Sequence, residues 1–304
     1  MLHLNVVNET DNLKAVVLGT AKSPGPVPTP ESAYDPKSLE HILAGTYPTE
    51  EDMIREMDAF DQVLKKHGVK VYRPEVIENC NQIFSRDIAF VIDDKLVKAN
   101  ILPDRENEFQ AIMHVLDAIA PENILYPPEE VHVEGGDVMP WNEYLFVGTY
   151  TKDDYPDYIT ARTNKAAVEY LQRQFPDKKV KSFELRKSNV EAKENALHLD
   201  CCFQPVGKDK AILHRNGFLV QEEYDWLVNY FGAENIFEIT KDEMYRMYSN
   251  VFSISPEVVV SEKSFTRLND WLRSQGFTVE EIPYSEIAKQ EGLLRCSTLP
   301  LIRQ

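Results

Sequence analysis

Cysteine is scarce in this chain. Its 304 residues hold four, Cys80, Cys201, Cys202 and Cys296, and none of them makes a CxxC pair. That excludes the common zinc-knuckle and dithiol patterns. So few cysteines in so long a chain also exclude a disulfide scaffold. Long apolar runs are missing too, since nothing approaches the roughly 18 apolar residues that a membrane helix needs. The opening stretch MLHLNVVNETDNLK has no basic segment followed by an apolar one, so no signal peptide is expected and a cytoplasmic location is. Basic residues are outnumbered: 33 Lys and Arg stand against 50 Asp and Glu, a net charge of −17. The acids are not gathered in one tail. Such a surface suits nucleic acid poorly, because phosphates need clustered Lys and Arg, whereas a small cation would be drawn to it. With 43% hydrophobic and 27% charged residues the composition is otherwise that of an ordinary globular protein.

What is present is a repeated layout. A polar or acidic residue opens an apolar strand, a short polar turn follows, and a second apolar strand runs on. RDIAFVIDDKLVKAN, GGDVMPWNEYLFVGT, HLDCCFQPVGKDKAILH and SNVFSISPEVVVSE share it, and a fifth copy is split between NLKAVVLGT near the start and CSTLPLIR at the end. A helix, a Gly and a further strand come next. In MIREMDAFDQVLKKHGVKVYRP the apolar Met53, Met57, Phe60 and Leu64 fall on one helical face, Thr49 can cap the start, and Gly68 suits the left-handed residue after the helix. Gly232 and Gly276 end two further helices in the same way. Asp87, Asp137, Asp200 and Asn250 recur at intervals of 50, 63 and 50 residues. Intervals near 50 with hairpins predict a propeller-like array of five ββαβ units, in one domain spanning 1–304. Residues 20–48, rich in Pro and Ser, have no place in the repeat and are expected to form an irregular loop, a candidate lid.

A ring of such units gathers equivalent strand starts at one axis, and with them Asp87, Glu134, Asp137, His198, Asp200, Asn250 and Cys296. Alternation along a strand would put His198 and Asp200 on one face. A carboxylate beside a His supports proton transfer. The two glycines between Glu134 and Asp137 permit a sharp bend or a close backbone approach. Asp87 opens a uniformly apolar strand, where an unpaired charge is costly. Arg295 precedes Cys296, but adjacent strand residues face opposite ways, so little help for a thiolate is expected from it. Cys201 and Cys202 read as core of a buried strand. Two chemistries remain open on these residues alone. One is a metal site built from His198, Glu134, Asp137 and Asp200. The other is a thiol enzyme with Cys296 as nucleophile and His198 as acid/base, its carboxylates holding a cationic substrate.

Seven motifs then occur in one order from about Asn8 to the C-terminus: NETDNLKAVVLG, FSRD, EGGDV, ARTN, ALHLD, SNVFSISPEVVV and LLRCSTLPL. Together they resemble the guanidino-group-modifying enzymes, or penteins, which include arginine deiminases, dimethylarginine dimethylaminohydrolases, agmatine deiminases and amidinotransferases. The resemblance implies an α/β fold, a five-bladed propeller with pseudo-fivefold symmetry. It implies Cys296 as nucleophile, His198 as general acid/base and Glu134 as the carboxylate near that His. Asp87 and Asp200 match the acids that grip guanidinium nitrogens, and Arg162 matches a residue that binds a substrate carboxylate. Asp137 and Asn250 are counted with the substrate-binding set. The implied reaction is cysteine-dependent hydrolysis of arginine, a methylarginine or a substituted arginine through a covalent thiouronium, or alternatively amidino transfer to an amine. No metal or cofactor is implied. The expected partner is a small cationic guanidino compound, and a homodimer is one of the oligomeric states left open. Glu291 departs from the pattern, standing where arginine deiminases carry Arg. EGLLRC looks like dimethylarginine hydrolases, HLD like arginine deiminases, and NETD like the NEWD of amidinotransferases.

Overall fold

The computed structural model describes residues 1–304. Its strands form five separate three-stranded sheets. The first is made by the two ends of the chain: β1 (Leu13–Leu18) lies between β15 (Thr298–Arg303), which is antiparallel to it, and β2 (Lys70–Tyr72), which is parallel. The second holds β3 (Ala89–Ile92), β4 (Lys95–Lys98) and β5 (Ile124–Leu125), and the third β6 (Val138–Trp141), β7 (Tyr144–Thr149) and β8 (Lys179–Glu184). The fourth holds β9 (Phe203–Val206), β10 (Lys210–Leu213) and β11 (Ile236–Glu238), and the fifth β12 (Phe252–Ser255), β13 (Val258–Glu262) and β14 (Thr278–Ile282). Every sheet is an antiparallel hairpin followed by a parallel third strand. A parallel strand needs a crossover, and helical segments supply it. The fold is a five-bladed α/β propeller. β15 packs against β3 and β1 against β12, so the blade made from the termini has neighbours on both sides.

Burial falls from the first strand of each blade to the third. β3, β6, β9 and β12 are buried at every residue, while β2, β5, β8, β11 and β14 are largely half-buried or exposed. The first strands are sheet edges, and Pro140, Pro205 and Pro300 sit in three of them. A proline costs no ladder bond on an edge. The hairpin corners place Asp93, Asn142 and Gly207 at φ values of 51°, 55° and 64°, a region that Asn, Asp and Gly tolerate.

Helix α2 (Glu50–Lys66) forms where its spacing predicts. Thr49 caps it by accepting the Asp52 N–H, and Met53, Met57, Phe60 and Leu64 are all at most 2% exposed. Each such burial is worth roughly 1.5–3 kcal/mol. The helices Gln221–Phe231 and Thr266–Ser274 end near Gly232 and Gly276, both at positive φ. The unit between β4 and β5 differs, for its crossover is a run of tight 3₁₀ turns over Pro103–Ile112 and one short helix, Met113–Leu116. Residues 20–48 are also more ordered than expected: they contain α1 (Pro36–Leu43), capped by Asp35. No helix is long and apolar enough to cross a membrane.

Candidate active site

The candidate residues do not open the strands themselves. Short helical turns precede three of the inner strands: Ser85–Ile88 before β3, Gly135–Asp137 before β6 and Leu199–Cys201 before β9. His198 and Asp200 therefore do not share a strand face. Cys201 and Cys202 lie in and just after that third turn rather than within β9, although both are buried. The turns tilt their side chains inward at the axis, beneath a cavity of about 570 Å³. Asp87, His198 and Cys296 line it, with Arg105, Glu108, Arg162 and Glu291.

His198 is 1% exposed. Its Nε2 lies 2.6 Å from Glu134 Oε2, and Nδ1 has no protein partner and stands 4.0 Å from Asp87 Oδ1. Gly136 lets the ring sit there, because a Cβ on that residue would come within 2.6 Å of His198 Cγ. Burial alone would lower the imidazole pKa, but Asp87 and then the Glu134 hydrogen bond outweigh it and raise it. Burial would raise the Glu134 carboxyl; the Arg162 guanidinium and the His198 ring instead hold it well below the usual carboxylate range.

Cys296 is fixed from three sides. Its backbone N–H donates to Asn250 Oδ1 at 3.2 Å, its carbonyl accepts the Arg86 N–H at 3.0 Å, and Asn250 Nδ2 lies 3.2 Å from Sγ. Asp200 Oδ2 is 3.5 Å from the same sulfur. Burial, then Asp200 and Asp87, push the thiol well above its ordinary pKa.

Several placements differ from expectation. Asp200 does not line the cavity, since its Oδ2 accepts Arg295 Nη1 at 2.8 Å. Arg295 is fully buried behind Cys296, where it also pairs with both oxygens of Glu9 and donates to the carbonyl of Val138. Residues 294–297 are a turn, not a strand, so Arg295 and Cys296 share one acidic neighbour instead of facing apart. Asp137 also lies off the cavity: its Oδ1 accepts the Leu199 N–H at 2.9 Å and so steadies the turn after His198. Asn250 grips Cys296 and does not line the cavity. Arg162 does line it, but its donors go to both Glu134 oxygens at 3.1 Å and to the carbonyls of Ile159 and Tyr34.

The one set of groups with metal-ligating spacing is Asp87, Glu134 and His198, with ligand atoms within 4.8 Å of one another. It differs from the expected set, and its Glu134 already accepts from Arg162 and contacts His198. A cation there would have to displace a guanidinium, which fits poorly.

The model of the family described as N,N dimethylarginine dimethylhydrolase, eukaryotic, matches residues 44–303. The chain belongs to this family. It thereby joins the pentein superfamily of guanidino-group-modifying enzymes, to which its blades and axial residues also point. Among its sequence relatives is the uncharacterized protein YkgA of Bacillus subtilis (strain 168), 29% identical over 263 residues and covering 84% of each chain. Arginine deiminase of Clostridium perfringens is 29% identical over 216 residues, which are 58% of this chain and 48% of that enzyme. The chain thus spans about half the length of the arginine deiminases that it matches. In fold it is similar to the N-terminal domain of ArgZ, an arginine dihydrolase from cyanobacteria (TM-score 0.78, 16% identity, 96% of this chain and 98% of that one). It is also similar to the inosamine-phosphate amidinotransferase StrB1 of Streptomyces griseus (TM-score 0.76, 16% identity, 100% and 98%).

Three further residues of this family member shape the site without appearing among the candidates named from the sequence. Arg105 donates Nη1 to Asp87 Oδ2 at 3.0 Å and grips Glu108 through Nε and Nη2. It sits in the irregular crossover of the second blade, where no periodicity marks it. Glu108 follows it there. Glu9 could have been found, since it lies in the NETD motif. There it balances the buried Arg295, and although burial raises its carboxyl, Arg295 and Arg86 pull the pKa down to about 2.

Proposed function

We propose that this pentein is a cysteine-dependent hydrolase of a guanidino compound. The observation that carries the reading is the juxtaposition of three buried groups, the Cys296 thiol, the His198 ring and an unpartnered carboxylate oxygen, Asp87 Oδ1, at one cavity. A guanidinium offers its N–H groups to a carboxylate as a fork. Asp87 Oδ1 takes one of them and brings the central carbon toward the sulfur. Arg105 and Glu134 hold the other charges of the wall in place.

The cation's arrival favours loss of the thiol proton, which burial and acids otherwise retain and which passes to solvent water. The thiolate then bonds to the guanidinium carbon. Protonated His198 gives a proton to the departing nitrogen, the C–N bond breaks, and ammonia or an amine leaves. A thiouronium remains on Cys296. Neutral His198 next takes a proton from water, the hydroxyl bonds to the same carbon, and the C–S bond breaks to return the thiolate and a ureido product. Glu134 keeps His198 oriented and supports its charged form. Asp200 and Arg295 set the field behind the sulfur. No step calls for a metal.

The test is a panel of arginine, methylarginines and simple alkylguanidines, scored for ureido product and for ammonia or amine. Cys296→Ser should abolish turnover while the melting temperature is kept. Turnover that survives the change would remove Cys296 from the mechanism. An activity that is lost with a chelator and returns with added metal would point to the Asp87, Glu134 and His198 group instead. Product formed only when an acceptor amine is added would make the enzyme an amidinotransferase.

A further inference from the structure

The lining of the cavity is acidic beyond Asp87. Seven carboxylates and two arginines line it. Both arginines are already paired, Arg105 with Asp87 and Glu108, and Arg162 with Glu134. Two lining carboxylates keep a buried oxygen without a protein partner. One is Asp87 Oδ1, beside His198; the other is Glu291 Oε2.

Glu291 is 4% exposed, and its other oxygen accepts Asn195 Nδ2 at 2.7 Å. The Asp35 carboxylate stands against it, committed at its own helix cap to the N–H and hydroxyl of Ser38. The nearest cation, Lys37, makes no ion pair with either acid. Its ammonium donates to the Tyr245 carbonyl, and the residue does not line the cavity. Burial, then Asp35, push the Glu291 carboxyl well above its ordinary pKa, and the opposing pull of the Lys37 charge does not offset them. Asn81, the other polar group nearby, is neutral and donates to Gln290.

We infer that Glu291, with Asp35 beside it, is the specificity-determining residue of the cavity, and that it selects guanidino substrates whose far end carries a protonated primary amine. This rests on the guanidino reading of the same cavity. The guanidinium meets Asp87 at one pole and the ammonium meets Glu291 at the other. A tail whose amine is capped, or whose only charge is a carboxylate, leaves Glu291 without a partner and adds no attraction.

The experiment compares four probes that share a guanidinium: guanidinobutylamine, butylguanidine, guanidinobutanoate and Nα-acetylarginine. Binding is measured calorimetrically on Cys296→Ser protein, and kcat/KM on the wild type. Guanidinobutylamine should exceed butylguanidine by roughly tenfold to a hundredfold, the range expected for one charge-assisted buried hydrogen bond. Glu291→Gln should collapse that ratio toward one, acting through KM and affinity rather than kcat. If Glu291→Gln does not fold, Asp35→Asn, which keeps the helix-cap acceptor, is read for the same collapse. Equal handling of amine and alkyl probes by the wild type, or a ratio that survives both substitutions, overturns the inference while leaving the guanidino reading standing. If no probe binds or turns over, the guanidino reading itself fails, and this inference with it.

Discussion

The side chain of Asn250 holds Cys296 at both of its functional atoms: Oδ1 accepts the backbone N–H and Nδ2 points at the sulfur, each at 3.2 Å. The sulfur's position therefore depends on a residue in the loop before β12, forty-six positions earlier. Asn250→Ala leaves a buried N–H unpaired, a cost of about 1–3 kcal/mol. The expected result is a ten- to hundredfold lower kcat and a modest fall in melting temperature. Slower or faster alkylation of Cys296 by iodoacetamide should accompany it. An unchanged kcat would mean that the sulfur finds its place without Asn250.

Asp87, and then the hydrogen bond to Glu134, raise the pKa of His198. The imidazole pKa is raised in the fold, so the proton is held below that pKa and lost as pH rises through it. With His198 as the acid, activity should fall on the alkaline side. Glu134→Gln removes a charge and a charged hydrogen bond that raise the imidazole pKa, so the alkaline limb of kcat should move to lower pH. The maximum should drop roughly 10²- to 10⁴-fold, the span of general acid–base catalysis. An alkaline limb that stays where it was would separate Glu134 from His198.

Gly136→Ala tests the packing under the imidazole. The added Cβ would stand 2.6 Å from His198 Cγ and 2.6 Å from Nδ1, closer than such contacts allow. The ring must shift, and its bond to Glu134 with it. The expected outcome is at least about a hundredfold loss of kcat, since small misplacements of catalytic groups carry such penalties, with a much smaller effect on thermal stability. Full activity in the alanine variant would mean that the ring has room the structure does not provide.

Arg295→Met tests the polar plug behind the nucleophile. Arg295 is fully buried and serves Glu9 and Asp200 at once. Removing it strands the buried Asp200 and leaves Glu9 only Arg86, 3.8 Å away, and breaking such a group costs about 3–5 kcal/mol. Denaturant unfolding should show a loss of that size. Arg295→Met combined with Asp200→Asn should recover part of it, because Asp200 is then neutral and Glu9 keeps Arg86 within 3.8 Å. A single variant as stable as the wild type would show that the network carries no stability.

Much of the architecture was readable before any coordinates. The hairpins at intervals near 50 residues, the blade split between the termini, and α2 with its Thr49 cap all formed as their patterns predict. Those patterns rest on local rules: alternation in strands, the 3.6-residue period in helices, and turn residues that accept positive φ. The crossover over Pro103–Ile112 was not readable, and Arg105 and Glu108 went unseen with it, because tight turns leave no apolar period to find. The position of His198 relative to Asp200 was misread for a related reason. The alternation rule holds only inside a strand, and Leu199–Cys201 is a turn.

The sequence by itself determined which residues meet at the axis, since equivalent positions of a repeat converge when the repeat closes on itself. Only the tertiary structure decided what those residues do to one another. It spends Asp200 on Arg295, Asp137 on the Leu199 N–H and Arg162 on Glu134, leaving Asp87 Oδ1 and Glu291 Oε2 without a hydrogen-bond partner. Buried charges pair with whichever opposite charges the packing brings within reach. Partners such as Glu9 and Arg295, 286 positions apart, follow no local period, so only the packed chain reveals them.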